Sequence, residues 1–248
     1  MMLLRLYPIF LVLIVWELSA RLGLVDPFFL PSLSSVLRAL VRNADLLAID
    51  ALFTLWRAFA GLVIGATAGL IVGTLMATSR HVNDFFDPLI GAIFPMPKLA
   101  LFPLLMTVLG LGEASKVALI ALSAFFPVVI NTYGGMRGVD KFLIWNAQTK
   151  GANQLQILTR VMLPAALPFI FAGLRVATAF SFLLAIASEF LAANNGLGFR
   201  LIFAQRTFEA ETMYAALLIV AVLGFLVDRL IKFITQRMLV WQDTKDPI

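Results

Sequence analysis

Charged residues inside apolar runs are where chemistry would be found, because a charge at membrane depth is expensive and is a functional candidate by default. In this 248-residue chain the run Pro95-Met96-Pro97-Lys98, followed by Pro103, holds one such charge. The prolines remove backbone donors and push the residues before them away from helix, so the run predicts a break in a membrane span. Irregular backbone at that depth survives only against protein or a water-filled cavity, and broken spans point to transport sites. If the span opens at Asp87-Pro88, an N-cap with proline in the first turn, Lys98 falls about 15 Å along it, near mid-bilayer. Two readings stay open for Lys98. Either it lines a translocation path shaped by Pro95 and Pro97 and offers positive charge to a small anion, or it is structural, pairing with a carboxylate such as Glu189 or snorkelling out. Glu189 lies near the outer end of its span, where it snorkels, pairs with Lys98 or excludes cations from a pathway entrance. Arg175 is too far along the same helix to pair with Glu189, about 21 Å away; it reaches the cytoplasmic interface or anchors the preceding loop.

Other chemistry is excluded. The chain has no cysteine and one histidine, so thiolate metal sites, cysteine nucleophiles and disulfides are ruled out. His81, within the polar run Ser79–Asp84, reads as a solvated loop residue. No metal-ligand cluster or nucleophile–base set is evident, so neither catalytic nor metal-binding residues are assigned. No Gly-x-x-x-x-Gly-Lys-Ser/Thr phosphate loop occurs either, which predicts that this chain does not bind ATP.

The elements around these residues are those of a membrane protein. The chain is 61% hydrophobic and only 13% charged, where a soluble domain carries about 25% charged residues. Its net charge of +5 sits mostly in short loops, which fits membrane topology better than nucleic-acid binding. Six apolar runs are long enough to span: about 4–24, 57–78, 87–109, 114–135, 168–190 and 213–234. This predicts an all-α integral membrane protein with a single transmembrane domain over 1–248. The first run is too long and lacks a cleavage site, so it reads as a retained helix. With a cytoplasmic N-terminus, ten of the 19 Lys and Arg residues lie inside and seven outside or at its boundary, which favours both termini in the cytoplasm.

Local signals refine this picture. Glu17 and Arg21 have the spacing of a same-face pair. Pro31 and the serines after it predict a capped amphipathic helix carrying Val36, Leu37, Leu40 and Val41 at the outer surface. Gly61, Gly65, Gly69 and Gly73 form a stripe that lets another helix approach closely. Glu113 favours a helix start, Pro127 predicts a kink, and Trp241 suits an interfacial anchor.

Between the fourth and fifth spans lies a polar segment that reads as two short helices meeting at Gly151, a residue able to take the positive φ that ends a helix. Pro164 is expected to stop the second helix and Pro168 to open the next. Ala147, then Gly151 four residues on, then Val161-Met162-Leu163-Pro164 after nine more residues, resembles the signature loop of bacterial ATP-binding cassette (ABC) importer permeases. That loop reads Glu-Ala-Ala, three residues, Gly, nine residues, Ile, any residue, Leu, Pro. Trp145 stands where the family usually has Glu, and Asn146 where it has the first Ala. Leu163–Pro168, Gly173-Leu174-Arg175 and the Pro97–Pro103 run look most like the branch that imports nitrate, sulfonates, taurine and bicarbonate.

The resemblance implies a type I importer permease fold in the bacterial inner membrane, with a cytoplasmic coupling loop over 137–167 in which Ala147, Gly151, Val161, Leu163 and Pro164 engage the ATPase. It implies as partners cytoplasmic ABC ATPase subunits that bind ATP and Mg, a second permease copy, and a periplasmic or lipid-tethered binding protein. Lipid surrounds the spans. The alternative is a secondary transporter driven by an ion gradient, with Lys98, Glu189 and Asp228 as a charge relay.

Overall fold

The computed structural model describes residues 7–240, and no strand occurs among them. Trp241 and the first residues of the predicted 4–24 span lie outside this range. The helices are α1 (Tyr7–Arg21), α2 (Leu33–Arg42), α3 (Ala44–Thr78), α4 (Arg80–Ile93), α5 (Phe102–Leu109), α6 (Glu113–Arg137), α7 (Lys141–Thr149), α8 (Gln154–Ile157), α9 (Leu163–Ala192), α10 (Leu197–Arg206) and α11 (Ala210–Met238). Ala44–Thr78, Glu113–Arg137 and the run Gln154–Ala192 are each long and apolar enough to cross a membrane. A further pair, Arg80–Ile93 with Lys98–Leu109, passes the same test together and bends by 96° at its break. The 29-residue α11 covers the last predicted span.

Three boundaries differ from expectation. α3 begins 13 residues before the predicted span, because hydropathy undervalues the turns carrying Asp45 and Asp50, whose helical geometry is nevertheless undisturbed. α4 begins at Arg80, with Ser79 as its N-cap residue, so Pro88 lies inside a helix and not at its start. The added length puts Lys98 about 10 Å farther along the chain than the sequence count assumed. Finally, Pro164 and Pro168 do not interrupt the chain, since α8 continues into α9 through a π-helical turn at Leu158–Met162. There Leu163 N–H donates to Leu158 O, five residues back; the widened turn accommodates proline, which has no N–H to give.

The chain forms two compact units, one from residues up to Leu55 with Ile186–Leu223, the other from Trp56–Ala185 with residues from Gly224 onward. In the first unit, Val36 and Ala39 of α2 pack with Leu47, Ala215 and Ala216. α2 is capped as predicted, Ser32 Oγ accepting from Ser35 N–H at 3.2 Å. Its Val36 face is buried in protein, while Leu37 and Val41 stay exposed. The Glu17–Arg21 pair forms at 2.6 Å.

In the second unit the glycine stripe lies against α6. A Cβ at Gly65 would meet Ala121 O at 2.2 Å, one at Gly69 Phe125 O at 2.7 Å, and one at Gly73 Val129 O at 2.8 Å. The stripe therefore brings two backbones into contact, as small residues do in membranes. Ala124 and Val128 on the same stretch of α6 pack with Ala177 of α9.

Candidate functional site

The polar segment after α6 folds as a helix, a tight turn and a second helix. Asp140 caps α7 by accepting from Phe142 N–H at 2.9 Å. At the other end Gly151 takes φ +80°; its N–H donates to Gln148 O at 2.9 Å, and Ala152 N–H donates to Ala147 O at 3.0 Å. This pair of bonds is a Schellman closure, which needs a left-handed residue at its corner. Asn153 opens α8 with a capping box: its Oδ1 accepts from Gln156 N–H and its own N–H donates to Gln156 Oε1, both at 2.9 Å. Both ends of the turn are thus closed by their own residues, and α7 is held without being buried.

No residue of α7 is buried. Phe142 is 73% exposed, Trp145 53% and Leu143 51%, and the two rings stack edge to face with centroids 5.5 Å apart. Beside them an open concavity of about 590 Å³ is lined by residues that include Leu143, Ala147, Lys150, Arg160, Val161 and Pro164. Of the five loop residues that the family resemblance singles out, Ala147, Val161 and Pro164 line this concavity, Gly151 forms the corner, and Leu163 begins α9 and is half-buried.

The break in the other region is a 3₁₀ turn, Lys98–Leu101, preceded by Pro97 in extended geometry, with Pro103 in the first turn of α5. The Lys98 ammonium donates to the Phe94 carbonyl and lies 5.0 Å and 4.9 Å from the ring centroids of Phe94 and Phe126. Pro97 and Lys98 line a cavity of about 260 Å³ with Ser123 and Phe180.

Residues 61–240 match the family described as "Binding-protein-dependent transport system inner membrane component". The chain belongs to this family. It is 34% identical to the taurine transport system permease protein TauC of Escherichia coli (strain K12), over 92% of this chain and 86% of that one. It is 31% identical to SsuC of Bacillus subtilis (strain 168), named for aliphatic sulfonate transport, over 94% and 85%. Among solved structures, the methionine ABC transporter MetNI in an inward-facing conformation aligns with a TM-score of 0.71 at 18% identity, covering 79% of this chain and 98% of that one. The fold is that of a type I ABC importer permease, and the chain is a multi-pass inner-membrane transport subunit of a binding-protein-dependent ABC importer. The ion-driven alternative has no support among these relatives.

The charges expected to form a relay in that alternative have separate partners. Arg175 donates to Asp228 Oδ1 from Nε at 3.1 Å and from a terminal nitrogen at 3.0 Å, and Lys232 reaches Asp228 Oδ2 at 2.9 Å. Arg175 therefore holds α9 to α11 and does not reach back to the loop. Glu189, 1% exposed, serves the start of α10 in the first unit. Its Oε2 accepts Gly198 N–H at 2.9 Å and the Thr54 hydroxyl at 2.9 Å. Thr54 in turn accepts Leu197 N–H at 2.9 Å, while Asp50 accepts Gly196 N–H at 2.8 Å and Arg200 Nε at 2.8 Å. Three backbone donors that a helix start leaves without partners are all met.

Sequence reasoning missed this cap and a second feature, the buried Arg57, whose guanidinium donates to both Glu113 oxygens at 2.6 Å and 2.7 Å. The signal was available: Asp50, Thr54 and Arg57 fall four and three residues apart, one face of a helix. It was passed over because Asp50 and Thr54 precede the predicted 57–78 span and Arg57 is only its first residue. Among the described residues no group of three or more His, Asp or Glu side chains could hold a metal ion.

Proposed function

We propose that this permease imports a small anion, a sulfonate of the kind for which its relatives are named, by alternating access driven by separate cytoplasmic ABC ATPases that bind ATP and Mg. Two copies of the chain pair around one pathway in the lipid bilayer, with both termini in the cytoplasm, and a periplasmic or lipid-tethered binding protein delivers substrate to the outer face. Each ATPase seats on α7 and the concavity beside it; Ala147, Val161 and Pro164 shape that seat, Gly151 sets its corner and Leu163 joins it to α9. Closure of the ATPase pair on ATP moves the two seats, and α9 carries the movement into the spans.

The observation that carries this reading is α7 itself, a short helix fixed at both ends yet exposing Phe142, Leu143 and Trp145. Such a patch is a partner surface by ordinary criteria, and it stands where the family signature falls. Trp145 in place of the usual Glu replaces a charged contact with an apolar one. In the pathway, Lys98 supplies the positive charge, and Pro95 and Pro97 shape the break that presents it. Glu189 serves by holding α10 in position.

The test is purification of the tagged chain from its native membrane in mild detergent, assayed for ATPase activity and an accompanying subunit. ATPase is expected to co-purify and to be lost in Gly151→Asp while the permease stays at wild-type level in the membrane. A permease that arrives without ATPase, from a detergent shown to preserve such assemblies, would overturn the importer reading.

A further inference from the structure

Four cations of the second unit have a carboxylate: Arg57 and Lys116 share Glu113, and Arg175 and Lys232 share Asp228. Lys98 is different. Among the described residues no carboxylate lies within ion-pairing distance of it; its contacts are the Phe94 carbonyl and two phenylalanine rings. Rings stabilise an ammonium through their negative faces but leave its net charge in place. With one of three protons on Phe94 O, two donors remain.

The second observation comes from another helix. Ser123 of α6 lines the same cavity, is 5% exposed, and its hydroxyl has no hydrogen-bond partner. A buried hydroxyl left so costs about 1–3 kcal/mol. The remaining walls are apolar, chiefly Phe94, Phe126, Phe180 and Leu183.

We infer that this cavity is a transmembrane anion subsite, and that its ligand is a small sulfonate or similar strong anion carrying an apolar tail. The head group accepts from the Lys98 ammonium and from the Ser123 hydroxyl after rotation about χ1, so that the unpaired cation and the unsatisfied donor are answered together. The tail lies against the rings. An inorganic oxyanion fits the lining poorly, because two donor side chains cannot replace its hydration shell and the rings offer it nothing. The inference rests on the importer reading and specifies what its pathway handles.

The test uses the permease–ATPase complex in lipid nanodiscs, without binding protein and without ATP, with empty nanodiscs subtracted. Saturation-transfer NMR reads 1-butanesulfonate and methanesulfonate as probes, with nitrate as competitor. Butanesulfonate is expected to bind, up to about fiftyfold more tightly than methanesulfonate as its three extra methylenes leave water, and nitrate to compete weakly. Lys98→Met and Ser123→Ala are each expected to weaken binding, the former by about tenfold for a lost charged hydrogen bond. Lys98→Arg should retain most of it. Co-purification of the ATPase with each variant serves as the check on assembly. Absence of butanesulfonate binding to wild type, equal binding of methanesulfonate or nitrate, or unchanged binding in an assembled Lys98→Met complex would each overturn the inference. Failure of the importer reading is seen separately, as absence of the ATPase from the wild-type preparation.

Discussion

The start of α10 and the cavity at Lys98 both hold polar groups in an apolar protein, buried at Asp50, Thr54 and Glu189 beside α10, half-buried at Lys98 and buried at Ser123, and they treat them in opposite ways. At α10 two carboxylates, a hydroxyl, a guanidinium and three backbone N–H groups answer one another within hydrogen-bond distance. At Lys98, among the described residues, a cation has no counter-charge and the Ser123 hydroxyl has no partner. A completed network holds a shape, because losing any member strands the rest. An incomplete one holds nothing; it has capacity left for something that arrives. The difference separates polar residues that build the permease from those available to its cargo.

The largest effect expected is at the completed network. Glu189→Ala strands Gly198 N–H and removes one of the two acceptors of the Thr54 hydroxyl, and breaking a buried charged cluster by deleting one partner costs about 3–5 kcal/mol. We expect a sharply lowered unfolding midpoint in detergent and little protein in the membrane, with Glu189→Gln intermediate because one oxygen remains. A variant as stable as wild type would erase the contrast between the two regions.

A paired cation within the second unit sharpens the comparison. Glu113→Ala removes the two Glu113 oxygens that accept from the Arg57 guanidinium, which is only 1% exposed. Half-exposed Glu113 makes this milder than the loss of Glu189, and about 2 kcal/mol is expected from hydrogen bonds to a charged group. Thermal unfolding of the variant beside Glu189→Ala gives the ranking. If Arg57 proves indifferent to its carboxylate, the bare state of Lys98 loses its significance.

How much of this was legible in the sequence depended on whether the cause was local. The serine cap of α2, the glycine stripe, the proline break before Lys98 and the corner at Gly151 each follow from residue types a few positions apart, and the structure contains all of them. The continuation through Pro164 and Pro168 was not legible, because it depends on a π-turn at Leu158–Met162 that no residue type announces. Asp87-Pro88 looked like a helix start because proline favours a first turn, yet α4 had already begun at Arg80. Thr54, which donates to Glu189, and Glu113, which accepts from Arg57, each lie more than 50 residues from their partner in the chain, and pairing at that separation is set by packing. Hence the signature loop could be read residue by residue, whereas Glu189 could only be assigned by seeing α10 above its carboxylate.

The smallest effects on stability are expected at the open site, and there they are the most informative. Lys98→Met replaces a half-buried ammonium without a nearby carboxylate by an apolar chain of similar length, which gives back whatever desolvation the charge had cost. Its unfolding midpoint should stay close to that of wild type while butanesulfonate binding falls. Ser123→Ala goes further, since it removes a buried hydroxyl that nothing satisfies, and the midpoint should hold or rise by the equivalent of about 1 kcal/mol. A residue whose removal stabilises the fold is retained for something other than the fold, the usual mark of a functional position. If Ser123→Ala instead destabilises the protein by as much as Glu113→Ala, then Ser123 belongs to the scaffold. The cavity at Lys98 would then be a packing defect lined by one unpaired amine, and the contrast between the two regions would reduce to a difference in packing.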